Sequence, residues 1–104
     1  MLDKAKAREI ALKYVEEVKK TLAPIAIVLF GSYNNGTPHE HSDIDIAIIV
    51  DNHDEDWLDT ASFLCKLTRS ISIDIEPHLL DIAHDKSGLV AHILKEGEIL
   101  YATA

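Results

Sequence analysis

The sequence predicts one α/β domain, a compact mixed β-sheet with helices on one side. Its 104 residues, 47% of them hydrophobic, are enough for a single modest core and leave no room for a second one. The beginning of the chain has helical periodicity, and short runs rich in isoleucine and valine alternate with further helical patterns after it. We therefore expect the order α-β-β-α-β-α-β across residues 1–104, with a helical turn between the first two strands.

The first predicted helix covers residues 2–22 and precedes a buried strand. Its apolar residues recur at helical spacing, and Pro24 lies just beyond its end. The following run, Ile25–Phe30, is rich in branched residues and has no polar alternation. This pattern is typical of a strand that is covered on both faces.

The second strand is predicted at Asp43–Val50, after a polar connection. We expect Ser32–Gly36 to form a short helical turn. Thr37–Ser42 is predicted to be a loop, since the connection contains Gly36 and Pro38.

The second long helix is predicted at Glu55–Arg69, with N-cap candidates among residues 51–55. Five residues share its predicted apolar face: Trp57, Ala61, Leu64, Cys65 and Thr68. Cys65 is the single cysteine and therefore excludes an internal disulfide. Its place on this face predicts a small core residue.

The last part of the chain is predicted to contain two strands and one helix. Ile71–Glu76 alternates strictly between isoleucine and polar residues, and the segment through Asp81 is expected to stay extended. Ser87–Lys95 is predicted to be a short helix ended by Gly97, and Glu98–Tyr101 a small terminal strand.

Charge and hydropathy argue against two classes of function. The net charge of −8 argues against generic nucleic-acid binding, which relies on basic side chains to neutralise phosphates. No apolar run approaches the roughly 20 residues that a membrane span needs. Because the N-terminus lacks the apolar core of a signal peptide, we expect a cytoplasmic location.

Carboxylates gather at the start of the second strand. Asp43 and Asp45 point the same way in a strand, about 6–7 Å apart, and repel each other unless a cation lies between them. They predict a seat for a hard divalent ion such as Mg²⁺. If the third strand lies beside the second, Asp74 reaches the same face, and Glu76 is the alternative carboxylate.

Other interpretations of these acids compete with a magnesium site. Solvated acids at a strand end are the plainest one. Haloacid-dehalogenase phosphatases also use Asp-x-Asp, but their acids end the strand, and glycosyltransferases with this motif need a longer chain. His39-x-His41 with Asp43 suggests a zinc or transition-metal site as a further alternative. The remaining histidines form no pattern: His53, His78, His84 and His92.

The Gly31-Ser32 pair follows the first strand directly. Taken alone, it indicates a tight turn. A glycine also lets the backbone approach a phosphate, which Ser32 and the free amides of a following helical turn would bind. A P-loop ATPase is excluded because Thr37-Pro38 stand where that motif requires lysine and then serine or threonine.

These motifs together resemble a known signature. Gly31-Ser32, Gly36 and then Ser42-Asp43-Ile44-Asp45 are similar to the pattern of the nucleotidyltransferase superfamily related to DNA polymerase beta. The short form of the chain resembles the minimal nucleotidyltransferases of prokaryotes, the MNT branch. The third acidic strand and the terminal Glu96–Tyr101 also fit, so the resemblance covers nearly the whole chain.

The resemblance implies a nucleotidyltransferase fold and a two-metal reaction. Asp43, Asp45 and Asp74 would be the catalytic and metal-binding residues around two Mg²⁺ ions, and Gly31 and Ser32 would bind the nucleotide. The reaction would move AMP from ATP to a hydroxyl group with release of pyrophosphate. The family also implies a partner, a helical HEPN ribonuclease toxin that the MNT protein neutralises as its antitoxin.

One departure from the family pattern leaves alternatives open. The family commonly has a basic residue before the second glycine, where this chain has Asn34-Asn35. A non-catalytic module that neutralises its partner by contact is therefore a second hypothesis, and a small-molecule nucleotidyltransferase is a third. The sequence leaves the nucleotide base, the acceptor and the formation of an oligomer undetermined.

Overall fold

The computed structural model describes residues 4–31, 44–51, 56–85 and 87–103. The turn predicted at Ser32–Gly36, the loop at Thr37–Ser42, and Asp43 lie outside the described residues. The described elements follow the predicted order: α1 (Lys4–Lys19), β1 (Ala26–Phe30), β2 (Ile44–Val50), α2 (Trp57–Thr68), β3 (Ile75–Asp81), a 3₁₀ turn (Ile82–His84), α3 (Leu89–Glu96) and β4 (Glu98–Ala102).

The four strands form a mixed sheet in the order β3-β2-β1-β4. β1 pairs antiparallel with both β2 and β4, whereas β2 and β3 run parallel. In this register Asp45 lies opposite Phe30 on one side and beside Glu76 on the other. The predicted α/β class with a mixed sheet is confirmed.

Helices α1 and α2 cover one face of the sheet. The core there combines inward-facing strand residues such as Ile27, Ile46 and Ile48 with Val18 of α1 and Leu64 of α2, all fully buried. The Tyr14 hydroxyl donates a hydrogen bond of 2.7 Å to the Leu64 carbonyl oxygen and ties the two helices together. Burial of this apolar surface is the main stabilising contribution.

The third helix lies on the other face, so the prediction of helices on one side was wrong in this detail. Val90 and Ile93 of α3 pack against Val28, Ala47 and Ile49. Successive side chains of a strand point to opposite faces, and the central strands β1 and β2 are apolar at nearly every position. Both faces of these strands are therefore apolar. A second cover is needed there, and α3 supplies it.

The start of helix α2 and the face that it buries both differ from the prediction. Its N-cap is Asp56, just after the predicted candidates, and the Asp56 carboxylate accepts hydrogen bonds from the backbone N–H groups of Leu58 and Asp59 at 2.9 and 3.2 Å. Cys65 is exposed, so its prediction as a core residue was wrong. The fully inward positions are Thr60, Leu64 and Thr68, a stripe at i, i+4 and i+8 that turns Cys65 outward.

The third strand begins later than predicted, at Ile75 rather than Ile71. After α2 the chain turns, with the Ser72 N–H donating to the Thr68 carbonyl oxygen at 2.8 Å, and Ile73 is 88% exposed. Pro77 lies inside the strand. It is tolerated because β3 is at the edge of the sheet, where one row of N–H groups needs no partner.

Across residues 4–31, 44–51, 56–85 and 87–103, no helix is both long enough and apolar enough to span a bilayer.

Candidate functional site

Two parallel strands bring Asp45, Glu76 and His78 together, and we call these three residues the Asp45 cluster. Asp45 is the second residue of β2 and lies in register with Glu76, the second residue of β3. His78 follows two residues later on the same face of β3. One ligand atom from each of the three side chains lies within 4.8 Å of the others. The parallel register therefore builds the cluster.

Aromatic packing and a polar contact hold the His78 ring in place. Its Nε2 atom lies 3.3 Å from Oδ1 of Asp45. The ring packs edge-on against Phe30, with centroids 5.2 Å apart and planes at 61°. The side chains of His78 and Asp45 are 35% and 23% exposed, so the cluster is open to solvent on one side.

Gly31 makes room for the Asp45 carboxylate. Its φ of +82° lies in the left-handed region, which residues with a Cβ rarely adopt. A Cβ at this position would also lie 2.3 Å from Oδ2 of Asp45. Gly31, which the sequence analysis connects with phosphate binding, is therefore also needed to make room for the Asp45 side chain.

The carboxylate that lies beside Asp45 is Glu76, not Asp74. Asp74 is exposed in the turn before β3, where its carbonyl oxygen accepts a 2.8 Å hydrogen bond from the Ile44 N–H. Its own N–H donates to Oγ of Ser72 at 3.1 Å. The late start of β3 explains the difference, since Glu76 rather than Asp74 falls within the paired strand.

Three predicted site features lie outside the described residues: Ser32, Asp43 and the His39-x-His41 pair. His78 belongs to no pattern in the sequence and was not predicted as a site residue. With a strand at Ile75–Asp81, however, its spacing of two from Glu76 places it on the face of the acids. His78 could have been found only with the correct boundaries of β3.

The donor set of the Asp45 cluster fits a divalent cation. Carboxylate oxygens are the ligands that Mg²⁺ and Mn²⁺ prefer, and an imidazole nitrogen suits first-row transition ions. The absence of a Cβ at Gly31 leaves room for the Asp45 carboxylate in this position. Two acids at this separation also repel each other, and a cation between them removes that repulsion.

A cavity of about 430 Å³ lies at the other end of β3. Its lining includes Trp57 of α2, Leu80 and Asp81 of β3, and Leu89 of α3. Asp81 is five residues beyond Glu76, roughly 16 Å along an extended strand. No residue of the Asp45 cluster lines the cavity, whose nearest lining residue along β3 is Leu79.

Comparison with known proteins finds similar chains among nucleotidyltransferases. The family described as polymerase beta, nucleotidyltransferase, matches residues 13–104. Among curated proteins, the protein adenylyltransferase MntA of Shewanella oneidensis is 34% identical over 80 residues, which are 74% of this chain and 53% of that protein. The chain thus spans about half the length of this relative.

Solved structures share the fold. A Sulfolobus solfataricus protein assigned as a nucleotidyltransferase superposes with a TM-score of 0.68 at 21% identity, over 95% of this chain and 83% of that one. A toxin–antitoxin structure with AMP-PNP superposes with a TM-score of 0.66 at 27% identity, over 88% of this chain and 73% of that one. The predicted resemblance is confirmed, and the chain belongs to the polymerase beta nucleotidyltransferase family.

Proposed function

We propose that the protein is a Mg²⁺-dependent nucleotidyltransferase that moves AMP from ATP to a hydroxyl group of a partner protein. The hydroxyl loses its proton to water and its oxygen attacks the α-phosphorus. The bond from this phosphorus to the bridging β-phosphate oxygen breaks, and pyrophosphate leaves. The observation that carries the proposal is the Asp45 cluster beside Gly31. A relative named as a protein adenylyltransferase supports the choice of nucleotide and of acceptor class.

The carboxylates would hold the two Mg²⁺ ions. Asp43 and Asp45 keep the role that the sequence predicts, and Glu76 takes the third place in preference to Asp74, because Glu76 is paired beside Asp45. When bound, the ions would activate the acceptor hydroxyl and neutralise charge on the reacting phosphate.

The buried neighbours of Asp45 fix the direction of its carboxylate. Ile44 and Ile46, on either side of Asp45, are fully buried in the core between the sheet and helices α1 and α2. This anchoring holds the Asp45 carboxylate on the opposite face, where the Phe30–His78 contact forms a wall. Preorganised groups of this kind lose little freedom when a charged substrate binds.

Gly31 and Ser32 would receive the nucleotide phosphates at the end of β1. The backbone of Gly31 lies close to the Asp45 side chain. A phosphate bound to this backbone would therefore lie next to the acids. The binding of AMP-PNP by a similar toxin–antitoxin structure supports ATP as the donor.

We propose that the partner is a toxin of the helical HEPN ribonuclease class and that this chain acts as its antitoxin in the cytoplasm. Similarity to a solved toxin–antitoxin structure supports this assignment. Modification of the toxin would neutralise it. The competing hypothesis of neutralisation by contact alone is favoured by one observation, the Asn34-Asn35 departure from the family pattern.

Transfer of label from ATP tests the proposed reaction. ATP labelled at the α-phosphate is added with Mg²⁺ to a lysate of the source cells, with either the wild type or Asp45→Asn. We expect a labelled protein band only with the wild type, and the band identifies the acceptor. Asp59→Asn, an exposed acid on α2, is the matched control and should label like the wild type.

Neutralisation of the partner separates the two hypotheses. If Asp45→Asn neutralises the identified toxin as well as the wild type does, and no label is transferred, the contact mechanism is correct. If Asp45→Asn folds normally but loses both label and neutralisation, the enzyme is established. Circular dichroism of both proteins reports on the fold.

A further inference from the structure

We propose that His78 is a direct ligand of the cation at the Asp45 cluster and that it shifts the preference of this site towards first-row ions such as Mn²⁺ and Co²⁺. The inference rests on the proposed function only in that the cluster binds a divalent cation. The imidazole nitrogen of His78 is a donor that an all-carboxylate magnesium site does not contain. The histidine would thus determine which ion the protein selects.

The distances between the donor atoms match a shared ion. Nε2 of His78 and Oδ1 of Asp45 are 3.3 Å apart, and all three ligand atoms lie within 4.8 Å of one another. Bonds of about 2.1 Å place neighbouring ligands about 3.0 Å apart and opposite ligands about 4.2 Å apart around an octahedral ion. Small side-chain rotations therefore suffice to bring the three donors around one cation.

The position of the His78 ring is set by its surroundings. The edge-on contact with Phe30 restricts the ring, and the pairing of β3 with β2 fixes its backbone beside Ala47. Nε2 points towards the same carboxylate that Gly31 accommodates. The 35% exposure of the side chain leaves a path for an ion and its water ligands.

Charge also favours a histidine in this position. The protein carries a net charge of −8, and each further carboxylate in the cluster would add repulsion in the ion-free state. A neutral imidazole adds a donor without adding negative charge. Nitrogen donors raise affinity for transition ions more than for Mg²⁺, which prefers oxygen ligands.

Cation binding without nucleotide tests this role directly. Calorimetry at one fixed pH compares Mg²⁺, Mn²⁺ and Co²⁺ for the wild type, His78→Gln and His92→Gln. His92 is an exposed histidine of α3 outside the cluster and provides the matched control. We expect His78→Gln to weaken Co²⁺ binding by at least about tenfold, as changes around metal sites commonly do, with a much smaller change for Mg²⁺.

Pulsed electron paramagnetic resonance of the Mn²⁺-loaded protein reports on the ligand itself. The wild type and His92→Gln should show hyperfine coupling to an imidazole nitrogen, and His78→Gln should lose it. Retained coupling in His78→Gln, no coupling in the wild type, or an equal loss of affinity for all three ions would each overturn the inference. A histidine that only supports Asp45 through a hydrogen bond gives the last of these results.

The test of His78 as a ligand can succeed or fail independently of the labelling test of the proposed function. Nitrogen coupling without labelled protein would leave the His78 assignment intact while the nucleotidyl transfer fails. Labelled protein together with all-oxygen coordination would remove the assignment alone. A wild type that binds none of the three cations contradicts the inference.

Discussion

At the scale of single residues, Gly31 connects backbone conformation with the chemistry of the site. We expect Gly31→Ala to weaken Mg²⁺ binding strongly, because the new Cβ would displace the Asp45 carboxylate, whose Oδ2 lies 2.3 Å from the Cβ position. The positive φ adds a strain of about 1–3 kcal/mol to the folded state. Calorimetry measures the binding, and urea denaturation measures the free energy of unfolding.

Gly88→Ala is the matched control for this substitution. Gly88 also has a positive φ, +76°, but nothing lies within 4 Å of the position of its Cβ. It should lose a similar amount of stability and keep its cation affinity. Equal cation binding by both variants would show that the contact between Gly31 and Asp45 is unimportant.

A second residue-scale prediction concerns the third carboxylate. Glu76→Gln should weaken Mg²⁺ binding by about tenfold or more, whereas Asp74→Asn should change it little, because only Glu76 is paired beside Asp45. Calorimetric titration of both variants gives the comparison. The reverse order of effects would restore Asp74 to the role that the sequence resemblance gave it.

At the scale of elements, the Tyr14 hydroxyl joins α1 to α2 and makes stability depend on pH. Burial of the side chain raises the pKa of Tyr14 above its ordinary value, and the nearby Cys65 thiol contributes to the rise. The folded state therefore holds the phenolic proton more tightly than the unfolded state does. This contribution to stability is fully present below about pH 10 and is lost as the pH rises above it.

We expect the free energy of unfolding of the wild type to fall above pH 10 by up to about 1.4 kcal/mol per pH unit from this group. Tyr14→Phe should show a shallower decline and a loss of about 1 kcal/mol at neutral pH, where the 2.7 Å hydrogen bond to Leu64 is missing. Urea denaturation from pH 8 to 11 measures both. Parallel pH profiles for the two proteins would contradict this account.

At the scale of the whole molecule, cation binding and folding are linked through the sheet. The Asp45 cluster joins β2 to β3, so it exists only when the parallel pair has formed. A cation at one hundred times its dissociation constant should therefore raise the free energy of unfolding by about 2.7 kcal/mol. Thermal melting with and without Mn²⁺ measures this, and Asp45→Asn should show no rise.

The order of the elements and the proximity of Gly31 and Asp45 were predictable from local patterns. Helical spacing defines α1, branched apolar runs define β1 and β2, and the spacing of Gly31 and Asp45 within the family signature locates the site. These signals are contained within a few neighbouring residues each. In the structure, Gly31 and Asp45 lie at adjoining strand ends.

The remaining features depended on contacts between distant parts of the chain. The parallel register of β2 and β3 decided that Glu76 and His78, rather than Asp74, stand beside Asp45. The apolar second face of the sheet decided that α3 packs opposite α1 and α2. Alternation within one strand shows which side chains share a face, but only pairing with a neighbour determines where the strand begins and what that face meets.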